Sequence, residues 1–110
     1  MKIETETFDG GILKVNLTGR MDAQGTPEIE QEFMHCACSQ RSVIVDMQAV
    51  GFLTSMGIRT LMLGAKAISR RGGKMVLLNP DINVTKVLEM IADLIPVHRS
   101  LDEALRAVSF

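Results

Sequence analysis

The run Val43-Ile44-Val45, β-branched and wholly apolar, leads through a glycine-containing connection into an amphipathic helix. A run of this kind suits a strand buried on both faces. From Ile58 onward, Ile58, Leu61, Met62, Ala65 and Ile68 fall along one helical stripe. A doubly buried strand that feeds an amphipathic helix requires a sheet covered by helices, which places the chain among α/β folds. Two hydroxyls, Thr54 and Ser55, stand where the connection meets the helix. Such residues accept hydrogen bonds from the free N–H groups of a first helical turn. The positive end of the helix dipole there also accommodates an anion, such as a phosphate on Ser55. A plain N-cap and a modified serine are both open on these residues alone.

The remaining segments fit the same plan. Residues 2–8 alternate, with Ile3, Thr5 and Thr7 on one face, and Asp9-Gly10-Gly11 supplies a tight hairpin turn. The return strand carries Leu13, Val15 and Leu17 inward and ends at Gly19-Arg20, before a loop over 21–25. Thr26-Pro27 reads as an N-cap followed by proline at the first helical position, with Ile29, Phe33, Cys36 and Ala37 as the buried face and an end near Gln40. A strand over 43–47 precedes the long helix, expected from about Met56 to Arg71 and closed by Gly72-Gly73. Strand 74–78, a helix over 82–94 stopped by Pro96, a short edge strand at 97–99 and a helix opened by the capping box Ser100-Leu101-Asp102-Glu103 complete the chain. In that box Glu103 is expected to reach back to the Ser100 N–H. The 43–47 strand, its helix and the 74–78 strand should form a right-handed parallel crossover. One domain over 1–110 is expected, with no linker or repeat.

Several classes of function find little material here. The net charge is −1, with charges of both signs scattered along the chain, and Trp and Tyr are absent. That removes the basic, aromatic surface used for nucleic acids and the basic surface used for anionic membranes. No segment approaches the roughly 20 apolar residues of a membrane span, and the acidic, alternating start is no signal peptide; a cytoplasmic location is expected. Cys36 and Cys38 lie two apart in a helix and point to different sides, unsuited to a mutual disulfide or a shared metal. His35 and His98 belong to no metal-ligand spacing. Gly72-Gly73-Lys74 ends a helix and begins a strand, the reverse of a phosphate-binding loop. No nucleophile–base pair stands out, and neither a catalytic residue nor a cofactor is expected. The methionines Met47, Met62, Met75 and Met90 are assigned to the core, with Met56 as the exception suited to an adaptable contact.

The order of elements, together with Gly19-Arg20-Met21-Asp22-Ala23, Val43-Ile44-Val45-Asp46-Met47, Val50-Gly51-Phe52-Leu53-Thr54-Ser55-Met56-Gly57-Ile58-Arg59, Gly72-Gly73-Lys74 and Ser100-Leu101-Asp102-Glu103-Ala104-Leu105, resembles the STAS domain of sulfate transporters and anti-sigma-factor antagonists. The resemblance implies a mixed sheet of four or five strands, strand 43–47 central, the first hairpin to its side, and about four helices largely on one face. It implies an anti-sigma-factor antagonist rather than an enzyme. Such a protein binds an anti-sigma factor that is also a serine kinase of the histidine-kinase-like ATPase class. Phosphorylation of a loop serine breaks that complex, and a PP2C-type phosphatase resets it. Ser55 holds the position of that serine, Thr54 is the second-choice acceptor, and Asp22 holds the acidic position near it. Asp22, Thr54, Ser55, Met56, Gly57 and Arg59 are the expected partner-binding residues, in a patch made by the 50–57 loop, the start of the helix and the 19–25 loop, and a monomer or weak dimer is the expected state. The commonest signature, Asp-Ser-Ser-Gly, is here Thr54-Ser55-Met56-Gly57. The alternative is a STAS scaffold that is not phosphorylated, serving a transport or signalling complex.

Overall fold

A computed structural model describes residues 1–110. Five strands, β1 (Lys2–Phe8), β2 (Ile12–Met21), β3 (Ser42–Leu53), β4 (Lys74–Leu78) and β5 (Val97–His98), form one sheet in the order β1-β2-β3-β4-β5. β1 and β2 are an antiparallel hairpin through Gly10 and Gly11, both at positive φ; every later pairing is parallel. The sheet is therefore mixed and β3 is its centre, as the uninterrupted β-branched run requires. Helices α1 (Thr26–Ser39), α2 (Ser55–Ser69) and α3 (Ile82–Leu88) occupy the three parallel connections, and α4 (Leu101–Val108) follows β5. None of them is long and apolar enough to cross a membrane.

Alternation along the strands divides the core between two faces. Val15, Leu17, Val43, Val45, Met75 and Leu77 pack under α1, α2 and α3 with Phe33, Leu61, Ile68, Val84 and Leu88. Ile12, Ile44, Val76 and Leu78 face the other way, onto Ala104 and Val108 of α4. Three helices thus share one face and the fourth covers the other. α1 and α2 meet where Gly64 leaves room for a ring: a β-carbon there would lie 2.6 Å from Cε2 of Phe33. Arg71 ties the ends of both helices together, donating to the carbonyls of Ala37, Gln40 and Ala67. On the α4 side, Lys14 joins three strands by pairing with Glu6 at 3.1 Å and Asp46 at 3.3 Å.

Several expected boundaries are corrected. β3 runs to Leu53 rather than stopping at Met47, and β2 extends through Met21. The register between them shifts near Asn16/Thr18 and Gly19/Arg20, so β3 carries extra residues against β2. Bulges of this kind break the two-residue period that marks a strand; Gln48 and Ala49 are exposed in succession, as are Gly51 and Phe52. Thr26 is not the cap of α1. Gly25 holds that place already in a helical conformation, and Thr26 is buried inside the first turn with its hydroxyl unpartnered. The 82–94 helix ends at Leu88 and continues as a 3₁₀ turn over Glu89–Ile91, which leaves Met90 79% exposed rather than in the core. In the capping box the Ser100 hydroxyl accepts from the Glu103 N–H as expected. The Glu103 carboxylate, however, takes the Ser100 hydroxyl proton and not the Ser100 N–H.

Phe33 fills the α1–α2 contact while almost wholly buried, at 1% exposure. Phe33→Ala should lower the unfolding free energy by about 3–5 kcal/mol, measured by urea titration; a loss under 1 kcal/mol would mean that Gly64 and its neighbours close over the gap.

Candidate functional site

Because β4 pairs with β3 only as far as Asp46, the second half of β3 and the end of β2 continue as a two-stranded ribbon beyond the rest of the sheet. The ribbon ends at Met21 and Leu53, and from these ends the chain enters the 22–25 turn and α2. One atom binds the two exits together. The Met21 carbonyl accepts both the N–H of Thr54, at 3.0 Å, and the hydroxyl of Thr54, at 2.8 Å. The expectation that Thr54 caps α2 is therefore corrected: its hydroxyl points back to β2, and α2 has no side-chain cap. The first helical hydrogen bond runs from Ile58 to the Thr54 carbonyl. The N–H groups of Ser55, Met56 and Gly57 precede it and face outward, the ordinary condition of an uncapped helix start.

Ser55 is the first residue of α2 and is exposed, as are Met56 and Arg59. Gly57 is buried against the ribbon, where a β-carbon would lie 2.6 Å from Cδ1 of Leu53 and 2.8 Å from Cβ of Met21. Its part is to let the helix start approach Met21 closely, which in turn presents Ser55. Ser55 opens a shallow groove along the outer face of α2, lined by Ile58, Arg59, Met62, Leu63 and Lys66. Ser55 and Arg59 are one helical turn apart, so their side chains share that face.

The 22–25 turn is built by Asp22. Its carboxylate accepts from the N–H groups of Gly25 at 2.7 Å and Gln24 at 3.1 Å, and its carbonyl accepts from Thr26. This is the capping work that Thr26 does not do. A β-carbon on Gly25 would lie 2.0 Å from the Arg20 carbonyl, so only glycine closes the turn. The Gly25 N–H, with Arg20 beside it, holds the Asp22 carboxyl below the usual carboxylate range. Arg20 reaches Asp22 at 3.3 Å through Nε and lies over the ring of Phe52, 4.2 Å from its centroid. Arg20 and Phe52 are register partners on the ribbon, and Phe52 stays 42% exposed. The aromatic is part of this surface, yet the bulge ahead of it hides it from a reading by alternation. Asp22, Thr54, Ser55, Met56 and Arg59 thus gather at one end of the molecule, with Arg20 and Phe52 added to them.

The family model for the STAS domain matches residues 2–104 of the chain. No curated protein matches its sequence. Among solved structures, an anti-sigma-factor antagonist from Mycobacterium paratuberculosis is 27% identical with a TM-score of 0.80, covering 97% of this chain and 92% of its own. The Bacillus cell fate determinant SpoIIAA in its phosphorylated form is 16% identical with a TM-score of 0.72, covering 96% and 98%. The STAS-like fold also matches part of the murine solute carrier 26 family member A9 anion transporter, at 18% identity and a TM-score of 0.75, over 89% of this chain and 18% of that one.

Asp22 is charged in the folded state over a wider pH range than in the unfolded chain, so its bonds stabilise the fold above the ordinary carboxylate pKa and fade as pH falls through the depressed folded value. Asp22→Ala should lower the melting temperature at pH 7, and the gap to the parent should narrow below about pH 4. A gap independent of pH would show that the charge contributes nothing to the turn.

Proposed function

The chain belongs to the STAS domain family, and from that premise we propose that it is a non-enzymatic anti-sigma-factor antagonist switched by phosphorylation of Ser55. The unphosphorylated protein, a cytoplasmic monomer or weak dimer, binds an anti-sigma-factor serine kinase of the histidine-kinase-like ATPase class and frees the sigma factor that the kinase holds. Phosphate on Ser55 ends the complex, and a PP2C-type phosphatase restores it. The observation that carries this reading is the setting of Ser55: an exposed hydroxyl on the first residue of an uncapped helix, at the tip of a rigid ribbon. Thr54, the second-choice acceptor, is half-buried and already donates its hydroxyl to Met21. A kinase reaching Thr54 would first have to break that bond.

The electrostatics follow from the same geometry. A phosphoserine carries about −1.5 to −2 charges near neutral pH. Free N–H groups and the helix dipole favour that charge by about 0.3–1 kcal/mol, so the fold bears the modification easily. The disruption falls on the complex. Met56 offers an exposed apolar contact beside Ser55, and apolar contacts at an interface cannot solvate a dianion. Arg59, one turn along, would turn to the phosphate and be withdrawn from an acidic group of the partner. Asp22, bound into its turn next to Met21, keeps a fixed negative charge on the neighbouring loop.

Incubating the domain with its cognate kinase and ATP should place one phosphate on Ser55 by peptide mapping. Ser55→Ala should then remain bound to the kinase in the presence of ATP, while Ser55→Asp should bind at least about tenfold more weakly, or about 1.4 kcal/mol. Phosphate on Thr54, or none with a kinase active on a control substrate, would reject the assignment and favour the scaffold role.

Met56→Asp and Arg59→Asp change exposed side chains. Each should weaken kinase binding in a titration while leaving the melting temperature within a few degrees of the parent; unchanged affinity in both would remove this patch from the interface.

A further inference from the structure

The other end of the molecule carries a second, unrelated surface. β5 pairs with β4 only at Leu77 and Leu78, so the first half of β4 has no neighbour on that side. Strand alternation shows which groups this leaves open. The N–H of Lys74 donates toward β3, to the Arg41 carbonyl, whereas those of Leu77 and Asn79 donate to Pro96 and His98. Alternate residues of a strand face opposite neighbours, so the N–H and C=O of Met75 point to the side that β5 does not reach. β5 itself cannot extend there, because Pro96 has no N–H and the N–H of Ile95 turns back to the Ile91 carbonyl.

Along this open edge runs a groove of about 240 Å³ floored by Lys74, Met75 and Val76 and walled by Ala65 of α2, Leu94 and Ala107 of α4. Leu94 is 62% exposed at its mouth. The charged residues in its lining, Lys74 here and Lys66 in the adjoining groove, are both cations. Although the whole chain is nearly neutral, residues 47–80 contain no Asp or Glu and five cations: Arg59, Lys66, Arg70, Arg71 and Lys74. Of these five, Arg71 is spent on helix carbonyls, and Lys74 donates to the Ser109 carbonyl at 3.4 Å beside the ring of Phe110; Lys66, Arg70 and Lys74 are exposed and take part in no ion pair. Lys66 lines the part of the groove that continues past Leu94 to Met62.

We propose that this slot receives a short extended segment of a partner protein, added to the sheet beside β4 at Met75, with an apolar side chain under Leu94 and acidic residues flanking it. Backbone pairing with an open strand edge gives such a segment its hold, and the groove and rim choose its side chains. The acidic preference follows from Lys66, Arg70 and Lys74, none of which is ion-paired with a carboxylate of the domain. The site lies at the start of β4, away from Ser55 at the end of β3, so one domain can hold two partners at once.

The test is a ¹H–¹⁵N titration of the domain with two synthetic probes, acetyl-Asp-Val-Glu-Val-Asp-amide and acetyl-Lys-Val-Lys-Val-Lys-amide. The acidic probe should move the Met75 amide downfield, slow its exchange with solvent and shift Ala65, Ser69 and Leu94. It should bind at least tenfold more tightly than the basic probe. Lys66→Glu combined with Lys74→Glu, both at exposed positions, should reduce that affinity at least tenfold with the parent spectrum otherwise retained. Equal affinity for both probes, shifts centred on β1 instead of Met75, no binding at millimolar peptide, or self-association that moves Met75 without any peptide would each overturn the proposal.

Discussion

The carbonyl of Met21 takes two hydrogen bonds from Thr54, and the placement of the whole functional end depends on it. Through it the end of β2 fixes the first residue of α2. Gly57 makes the close approach possible by offering no β-carbon toward Met21 or Leu53. A buried carbonyl with both of its donors supplied is hard to displace, because separation would strand a polar group. Ser55 is consequently held at a defined point in space while its own hydroxyl stays free for chemistry. The residue that looks most like a helix cap is the one that anchors the site, and the uncapped helix end is what leaves room for an anion.

The same arrangement would let the proposed modification act on binding without acting on the fold. The ribbon formed by the ends of β2 and β3 extends past the main sheet, yet Val50 and Leu53 keep it rooted in the core. Asp22 closes the neighbouring turn with its own carboxylate, and Arg20 lies between Asp22 and the ring of Phe52. The surface presented to a partner is thus preorganised from backbone and side chains together. Charge placed on Ser55 meets free N–H groups on its own side and a desolvating interface on the other. In the proposed function, the asymmetry between those two environments would be the switch.

Much of this was legible in the sequence where periodicity was strong. The β-branched run at 43–45, the α2 stripe and the buried face of α1 gave the central strand and its covering helices correctly, and the residues of the resemblance over Gly19–Ala23 and Val50–Arg59 come together at one end of the molecule. What escaped reading has a physical cause in each case. Bulges interrupt the two-residue period after Met47, so the ribbon looked like a loop and Phe52 was read as a loop residue rather than as the strand partner of Arg20. Thr26 and Thr54 both stand at helix starts and read as caps, but Thr26 is the first residue inside α1, and the Thr54 hydroxyl is claimed by a strand far away in the sequence. Met90 was assigned to the core as a gap-filling methionine, yet it lies in the 3₁₀ turn after α3 and is exposed there. The open edge of β4 could not be seen at all, since it results from how little of β5 pairs.

Site-specific incorporation of phosphoserine at Ser55, without any kinase, allows the central claim to be measured directly by amide chemical shifts and exchange rates against the unmodified protein. The account predicts shifts confined to residues 21–25 and 53–59, a protected Thr54 amide in both forms, and a melting temperature unchanged or slightly raised. Shifts spreading through β3 into β4, or loss of protection at Thr54, would mean that phosphate opens the Met21–Thr54 junction and that the switch works by remodelling the fold.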